Sequence, residues 1–252
     1  MLGKLILLVG KAAAGKSHSL KWLREPERVA YMNCESAKYL PFRSKFKEQI
    51  ITDPKSQLIG KNNLLDMIAA HPDKFHTVVI DTLTALMDLY ETKYVKTATN
   101  TQQAWGDYSD FFINLMNQKV PELIKVGINV IILAHTADKV NEENFTLDTI
   151  VPVKGAIGKR GVEAFFNDIV ACKKLNISAL EGELKDRANS PMLNITDNER
   201  YLGYKHVIQT RLTKDTVNER IRSPEDLWAI NETFIDGNIQ TVLDRMDEFY
   251  NN

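Results

Sequence analysis

The feature that most constrains this sequence is a glycine-bounded segment that directly follows a short apolar run. The apolar run is Leu5 to Val9, and the segment over residues 10–17 reads Gly-Lys-Ala-Ala-Ala-Gly-Lys-Ser. Its spacing fits the pattern G-x-x-x-x-G-K-[ST], in which glycines let backbone N–H groups turn inward and surround phosphate oxygens. The pattern requires a buried strand before it and a helix after it. The sequence therefore predicts a phosphate-binding loop, called the phosphate loop below, at the end of a strand.

Residues of the phosphate loop are expected to bind a nucleotide, and two of them have further roles. Lys16 is expected to reach the β- and γ-phosphates, which makes it a catalytic residue as well. The Ser17 hydroxyl is expected to ligate Mg²⁺. By itself the loop predicts ATP or GTP as the ligand, with Mg²⁺ as the metal. The predicted nucleotide-binding residues are Gly10, Lys11, Ala12, Ala13, Ala14, Gly15, Lys16, Ser17 and His18.

Composition and charge limit the classes of protein to consider. The 252 residues carry 32 Lys plus Arg against 33 Asp plus Glu, so the formal net charge is −1. This balance excludes a binder whose whole surface is basic, but it allows a local basic groove. Cys34 and Cys172 lack the spacing of a metal site and are expected to be buried thiols in a reducing compartment. No apolar run reaches the roughly 18 residues of a membrane span, so we expect a cytoplasmic protein without a membrane partner.

Short runs that are apolar almost throughout predict strands buried on both faces of a parallel sheet. They are Leu5 to Val9, Val78 to Ile80 and Ile128 to Ala134, and Arg28 to Cys34 is a further predicted strand. Helices are predicted between the strands, at 17–24, 62–70 and 107–126. This alternation predicts an α/β fold with a mostly parallel central sheet flanked by helices.

The second half of the sequence has a different character. Residues 136–160 are polar and contain Gly155 and Gly158, with Gly161 directly after them, which predicts a mobile loop. Strands are predicted at 165–175 and 203–212, with a polar insertion at about 178–202 between them and a helix at 239–250. We therefore expect one domain over residues 1–252, with its core at about 1–177 and 203–252 and with additional C-terminal strands.

Polar residues follow the ends of predicted strands, which is where α/β sheets bind ligands. Asp81 is predicted to support the metal ion together with Ser17, and a helix cap is the alternative role. Glu35 follows the strand after the phosphate loop, and this strand is expected beside the strand of the loop. We expect Glu35 to activate water, with a solvent-facing glutamate as the alternative. His135 is expected to sense the γ-phosphate, although a lone histidine is more often structural.

The order of these parts resembles the core of the RecA-like recombinases. It resembles more closely the small phage-encoded RecA-like ATPases that accompany single-strand annealing. Tyr31-Met-Asn-Cys-Glu35 stands where such proteins carry the catalytic glutamate, and Val79-Ile-Asp81-Thr-Leu-Thr-Ala-Leu86 is similar to their Walker B segment. Ile132-Leu-Ala-His135-Thr is similar to their sensor strand, with His where RecA itself has Gln. The resemblance extends more weakly to residues 161–170 and 218–224.

The resemblance implies an activity and a DNA ligand. The activity is Mg²⁺-dependent ATP hydrolysis that single-stranded DNA stimulates and that supports DNA recombination or annealing. A phage origin would place the protein in the host cytoplasm. The segment after the sensor is a DNA-binding loop in the family, whereas the residues alone are equally consistent with a solvated loop. The expected DNA-binding residues are Lys139, Lys154, Lys159 and Arg160.

The resemblance also implies an arginine that acts on the ATP site of a neighbouring copy. Arg220 is the first candidate and Arg222 the second, because each lies in the basic stretch before Pro224. A positive charge at the γ-phosphate stabilises the group that is transferred. The alternative is a surface cluster paired with Glu219 and Glu225.

The partners implied are other copies of the chain, in a ring or a filament that DNA induces, and a single-stranded-DNA-binding protein. The phosphate loop begins at residue 10, so we do not expect the N-terminal segment by which RecA-like recombinases join protomers. Support of annealing is therefore expected rather than full strand exchange. Two other functions stay open: a P-loop kinase of a small molecule, and a non-catalytic nucleotide-dependent loader or switch.

Overall fold

The computed structural model describes residues 2–36, 38–142 and 145–251. The described strands are β1 (Leu5–Gly10), β2 (Val29–Asn33), β3 (Lys47–Ile50), β4 (Thr77–Asp81), β5 (Asn129–His135), β6 (Ala137–Asn141), β7 (Thr146–Ile150), β8 (Asp168–Asn176), β9 (Tyr204–Gln209) and β10 (Phe234–Asp236). The described α-helices are α1 (Lys16–Ser19), α2 (Leu64–Ala69), α3 (Leu83–Tyr90), α4 (Thr101–Asn114), α5 (Val120–Lys125), α6 (Gly155–Arg160), α7 (Ile177–Glu181), α8 (Lys185–Ala188), α9 (Asp197–Leu202) and α10 (Ile239–Asn251). Short 3₁₀-helical turns lie at Leu20–Trp22, Pro26–Arg28, Val162–Phe165 and Ile230–Glu232. Short π-helical turns lie at Lys55–Ile59, Glu91–Val95 and Leu115–Lys119. None of the helices in these described ranges has the length and apolar character that crossing a membrane requires.

The chain forms two compact units. The first unit contains Met1–Ile6, Glu25–His135 and Val151–Phe166. The second unit contains Leu7–Arg24, Thr136–Ile150 and Asn167–Asn252. Strand β1 therefore contributes residues to both units, and the expectation of one domain over the whole chain stays a prediction.

The first unit is built around parallel strands that are buried on both faces. β2 pairs in parallel with β3 and with β4, and β4 pairs in parallel with β5. The strand order in this unit is β1-β5-β4-β2-β3. Ile80 of β4 and Ile132 of β5 are fully buried, as the continuous apolar runs predicted.

The strand before Glu35 does not lie beside β1, which corrects the expectation drawn from chain order. The neighbour of β1 in the first unit is β5, where the N–H of Val130 donates to the Lys4 carbonyl at 2.7 Å. β4 and β5 are apolar almost throughout, and central positions in the sheet bury both of their faces. β2 lies further out, next to the edge strand β3, all of whose residues are exposed.

The second unit combines the end of β1 with antiparallel C-terminal strands. β8 pairs antiparallel with β9, and β9 pairs antiparallel with β10. The strand order here is β10-β9-β8-β1. The predicted polar insertion contains short helices, and its apolar residues pack with the strands in one buried cluster that includes Leu180, Ala188, Val207 and Phe234. The predicted fold class is confirmed: a mostly parallel α/β sheet with flanking helices and additional C-terminal strands.

The described part of residues 136–160 contains two strands and a helix, which corrects the expectation of a loop. β6 and β7 pair as an antiparallel hairpin in the second unit, with Ala137 opposite Ile150 and Asn141 opposite Thr146. The helix α6 follows in the first unit. Residues 143 and 144 lie outside the described residues. The polar composition of the segment suggested a loop, but its threonine and isoleucine residues in β7 favour a strand.

Two predicted helices have different bounds in the structure. The helix expected at 17–24 is α1 followed by the tight turn Leu20–Trp22. It ends early because Leu23 leaves the helical conformation, with a φ of −58° and a ψ of 127°. The helix expected at 107–126 begins at Thr101, where the Asn100 side chain accepts a hydrogen bond from the Gln103 N–H and caps the helix.

Candidate active site

The glycines that bound the phosphate loop are required by its surroundings in the second unit. Gly10 ends β1 against β8, and a Cβ atom at Gly10 would lie 2.7 Å from the carbonyl oxygen of Cys172. Gly15 has a φ of 97°, in the left-handed region that glycine adopts without steric cost. A larger residue at either position would displace the loop backbone, so the two glycines are structural requirements of the turn.

The Lys16 side chain is folded over the phosphate loop, and only 5% of its surface is exposed. Its Nζ donates to the carbonyl of Gly10 at 2.8 Å and to that of Lys11 at 3.0 Å. A buried ammonium needs such partners because an unpaired charge is costly to remove from water. These hydrogen bonds keep the amine beside the loop backbone.

Two histidines, His18 and His206, lie near the end of the loop. The pKa of the His18 imidazole is lowered by desolvation first, and then by the neighbouring charges of Lys21 and His206. His18 is therefore neutral at physiological pH. His206 belongs to β9, and its Nδ1 lies 3.1 Å from the carbonyl oxygen of Ala14. Sequence reasoning missed His206, because a single histidine in a mixed polar strand carries no motif.

Lys11 of the phosphate loop contacts the β6–β7 hairpin within the second unit. Its Nζ lies 2.7 Å from Oδ2 of Asp138, and the Thr149 hydroxyl donates to Oδ1 of the same carboxylate at 2.9 Å. These hydrogen bonds, that of Lys11 first, hold the pKa of Asp138 below its ordinary value. The loop is thus linked to the hairpin by an exposed ion pair that the sequence did not predict.

Polar residues meet at one edge of the parallel strands of the first unit. Asp81 is the last residue of β4 and His135 the last of β5, and Glu35 follows β2. In the register of these strands Asn33 lies opposite Asp81, and Asp81 lies opposite Leu133. The Nε2 atom of His135 is 3.2 Å from Oε1 of Glu35. The structure therefore brings Glu35 and His135 into direct contact.

Three side chains hold the carboxylate of Glu35. Besides His135, the Thr82 hydroxyl donates to Oε1 at 3.4 Å, and Nζ of Lys38 donates to Oε2 at 2.9 Å. Burial raises the pKa of Glu35, but the hydrogen bonds from Lys38 and His135 lower it, and the pKa lies below its ordinary value. Glu35 is ionised at neutral pH, which is the state that a general base requires.

Asp81 is buried, with 3% of its surface exposed. The Tyr31 hydroxyl donates to its Oδ2 at 2.9 Å. Burial, followed by the charge of Asp81, raises the pKa of the Tyr31 hydroxyl, which keeps it protonated as a donor. The cap of the following helix α3 is Thr82, whose side chain accepts from the Ala85 N–H. Thr82, and not Asp81, is therefore the cap of this helix. The peptide bond between Asp81 and Thr82 is cis.

Arg220 lies in the second unit, close to the β6–β7 hairpin. Its side chain is 54% exposed, and its NH2 group lies 3.7 Å from Oδ2 of Asp148 in β7. The adjacent Glu219 accepts from Lys173 at 2.5 Å. The pairing partner of Arg220 in the structure is thus Asp148, rather than the acidic residues next to it in the sequence.

The basic residues expected to bind DNA differ in their surroundings. Lys139 is exposed on β6 in the second unit, whereas the other three lie in the first unit. Lys154 pairs with the buried carboxylate of Glu91 at 2.5 Å, and Arg160 lies over the Phe165 ring at 4.8 Å from its centroid. Lys159 is exposed on α6.

Comparison with known proteins gives one family match and a distant structural one. Residues 3–165, well over half of the 252, match the model of the family AAA_24, described as an AAA domain. No curated protein matches the sequence. A solved structure of a KaiC-like protein from the hyperthermophilic archaeon Pyrococcus horikoshii OT3 is similar to this chain. It has a TM-score of 0.41 and 11% sequence identity, over 86% of this chain and 82% of that chain.

Replacement of Lys38 by methionine tests how the Glu35 carboxylate is kept ionised. We expect the pKa of Glu35 to rise, because burial continues to raise it and the hydrogen bond from Lys38, the largest influence that lowers it, is removed. Since the folded-state pKa lies below the ordinary value of 4.5, Glu35 stabilises the fold above that pH. This contribution is lost as the pH falls through the folded-state pKa. The Lys38→Met chain should therefore retain less of this stabilisation.

The measurement is an NMR titration of the Glu35 carboxyl carbon in both proteins. Lys93→Met is the matched control, because it removes a lysine that lies 2.8 Å from the carboxylate of Asp53 instead. An unchanged Glu35 titration in Lys38→Met would contradict the assignment of the Lys38 contact.

Proposed function

We propose that this chain, which belongs to the AAA domain family, is a Mg²⁺-dependent ATPase of the RecA-like type. We further propose that it binds single-stranded DNA and supports annealing in DNA recombination. The family membership makes the chain an AAA-type P-loop ATPase domain. The observation that carries the proposed hydrolysis is the contact of an ionised Glu35 with His135 at the strand ends that also carry Asp81. A phage origin remains part of what the sequence resemblance implies.

The phosphate loop fits a nucleoside triphosphate and its metal ion. A Cβ atom at Gly10 would lie 2.7 Å from the Cys172 carbonyl oxygen, and one at Gly15 would lie 3.1 Å from Nδ1 of His206. Lys16 supplies a cation beside the loop backbone. Hydroxyl and carboxylate oxygens are the ligands that Mg²⁺ prefers. Ser17 in the second unit would offer a hydroxyl oxygen, and Asp81 in the first unit is proposed as the carboxylate ligand. Mg²⁺, when bound, neutralises charge on the β- and γ-phosphate oxygens. The Tyr31 hydroxyl orients the Asp81 carboxylate for this role through its hydrogen bond to Oδ2.

Glu35 is the proposed general base for hydrolysis. It accepts a proton from the water whose oxygen attacks the γ-phosphorus, while the bond from that phosphorus to the ADP oxygen breaks. Lys38 and Thr82 fix the orientation of the carboxylate. His135 touches Glu35 and is proposed to report whether the γ-phosphate is present. An ionised carboxylate held by three donors favours a hydrolase over a non-catalytic switch.

Arg220 is proposed to act on the ATP site of a neighbouring copy in a homo-oligomer. It would have to leave Asp148, from which it is separated by 3.7 Å. An exposed ion pair of this kind contributes little to stability, so Arg220 can exchange Asp148 for a phosphate at little cost.

The β6–β7 hairpin of the second unit is a proposed platform for single-stranded DNA. Lys154, Lys159 and Arg160 of the first unit are also proposed to bind DNA. Phe145 is 91% exposed beside the hairpin turn, and Val140 and Leu147 are 61% and 54% exposed on the paired strands. Lys139 is exposed on the same hairpin. Proteins that bind single strands without reading their sequence combine aromatic rings, on which bases stack, with cations along the backbone. The hairpin carries both.

Replacement of Glu35 by glutamine tests the catalytic assignment. We expect the rate of phosphate release from ATP to fall by about 100-fold or more, because a general base typically contributes that much. ATP binding should be retained, since the phosphate loop is unaltered. The measurements are steady-state phosphate release and calorimetric titration with a non-hydrolysable ATP analogue.

The surface variant Glu122→Gln is the control, because its carboxylate is 55% exposed and pairs only loosely with Lys119 at 3.7 Å. It should hydrolyse ATP at the wild-type rate. Unchanged turnover in Glu35→Gln would remove Glu35 from the mechanism. A phosphorylated small molecule in place of free phosphate would identify a kinase instead.

Replacement of Phe145 by alanine tests the proposed DNA platform. We expect affinity for a single-stranded oligonucleotide to fall by about tenfold, because stacking of one base on an aromatic ring is worth about 1–3 kcal/mol. The dependence of binding on salt should not change, since no charge is removed. Fluorescence anisotropy over a range of salt concentrations measures both quantities.

Two further variants separate the effect of stacking from that of charge and from that of losing an exposed ring elsewhere on the surface. Lys139→Ala should reduce the salt dependence of binding, because one phosphate contact is lost. Tyr201→Ala removes an equally exposed ring, 88% exposed on α9, and should bind DNA as the wild type does. Equal losses in Phe145→Ala and Tyr201→Ala would contradict the assignment of the hairpin.

A further inference from the structure

We propose that His206 is a positioning residue of the phosphate loop, which it holds through the carbonyl of Ala14 and the backbone of Gly15. The proposal rests on the nucleotide binding proposed above and adds a residue to that site. His206 lies outside residues 3–165, the part of the chain that matches the AAA domain. It would thus be a contribution of the C-terminal strands to nucleotide binding.

The contact between His206 and Ala14 determines which ring nitrogen carries a proton. The Nδ1 atom lies 3.1 Å from the Ala14 carbonyl oxygen. A carbonyl oxygen only accepts hydrogen bonds, so Nδ1 must be the donor. Neutral His206 therefore has its proton on Nδ1, and the hydrogen bond is retained when the ring becomes doubly protonated.

The imidazole ring also lies against the next residue of the loop. A Cβ atom built on Gly15 would lie 3.1 Å from Nδ1 and 3.2 Å from Cγ of His206. Such distances are tighter than ordinary van der Waals contact, so the ring occupies the space beside the Gly15 backbone. One side chain thus contacts two successive residues, and Gly15 is required both by its φ of 97° and by this ring.

The hydrogen bond fixes the orientation of one peptide group in the loop. In a planar trans peptide, the C=O of one residue and the N–H of the next point in opposite directions. When His206 holds the Ala14 carbonyl on its own side, the Gly15 N–H is directed to the other side. Backbone N–H groups directed inward are what a phosphate loop presents to phosphate oxygens. His206 therefore pre-orients a phosphate-binding donor.

The position of His206 is itself fixed by the antiparallel strands. His206 lies opposite Lys174 in β8, and the next residue, Val207, lies opposite Asp236 in β10. The ring of Tyr204 packs edge-on against the imidazole, with 5.6 Å between centroids. A side chain on the middle strand of three has little freedom to move, which is what a positioning role requires.

The test compares two replacements of similar polarity. The side-chain amide of His206→Asn places its nitrogen close to the position of Nδ1, whereas that of His206→Gln places it further out. We expect the Kd for ADP to rise about five- to tenfold in His206→Gln, which is the effect of losing one hydrogen bond. In His206→Asn the Kd should stay within about twofold of wild type. Calorimetric titration with ADP and Mg²⁺ measures these constants.

His71→Gln is the matched control, because its Nδ1 lies 2.9 Å from the Met67 carbonyl on an exposed helix end. It should leave the Kd unchanged. Equal losses in the two His206 variants, or no loss in His206→Gln, would overturn the positioning role. If wild-type protein binds no ADP, the proposed nucleotide binding fails and this inference fails with it.

A second measurement uses the unaltered protein and does not depend on how the variants fold. NMR of protein labelled with ¹⁵N at its five histidines distinguishes the two neutral tautomers. We expect the proton of neutral His206 on Nδ1, with the signal identified by its absence in His206→Asn. A proton on Nε2 would overturn the hydrogen bond to Ala14 and the inference with it.

Discussion

The turn from β1 into α1 must reverse direction within a few residues while its peptide groups stay directed toward an anion. Several neighbouring residues in the second unit hold the turn in this conformation. The Cys172 carbonyl leaves no room for a side chain at Gly10, and the left-handed Gly15 lies against the His206 ring. The Lys16 amine is kept by the carbonyls of the loop itself. Nucleotide binding in this chain therefore depends on a backbone conformation that strands from the far end of the sequence support.

Asp81 and Glu35 of the first unit lie in different environments, and this difference separates their proposed roles. Asp81 is almost completely buried and accepts from the Tyr31 hydroxyl, an environment that fixes a carboxylate in one orientation. Glu35 is partly exposed and is held by Lys38, Thr82 and His135. Burial raises its pKa, but the hydrogen bonds from Lys38 and His135 lower it below its ordinary value. A metal ligand needs a fixed orientation, and a general base needs an ionised group that water can reach. The two environments match the two roles.

The sequence predicted the parts of the fold that continuous burial determines. β4 and β5 were predictable because parallel strands covered on both faces are apolar throughout. β3 was not, because its residues Lys47–Ile50 are all exposed and leave no apolar pattern. The order of strand ends indicated Glu35, Asp81 and His135, but their partners depend on register and on loops that no local pattern encodes. Contacts between residues as distant in sequence as Ala14 and His206 become visible only in three dimensions.

This AAA-type domain is proposed to hydrolyse ATP in response to single-stranded DNA. The most direct measurement is the steady-state rate of phosphate release from ATP and Mg²⁺ by wild-type protein, over a range of concentrations of a single-stranded oligonucleotide. We predict a rate that rises with the concentration of oligonucleotide and reaches a plateau. Duplex DNA at the same concentrations should raise the rate less. A rate of hydrolysis that does not depend on single-stranded DNA would contradict the proposed DNA-stimulated activity.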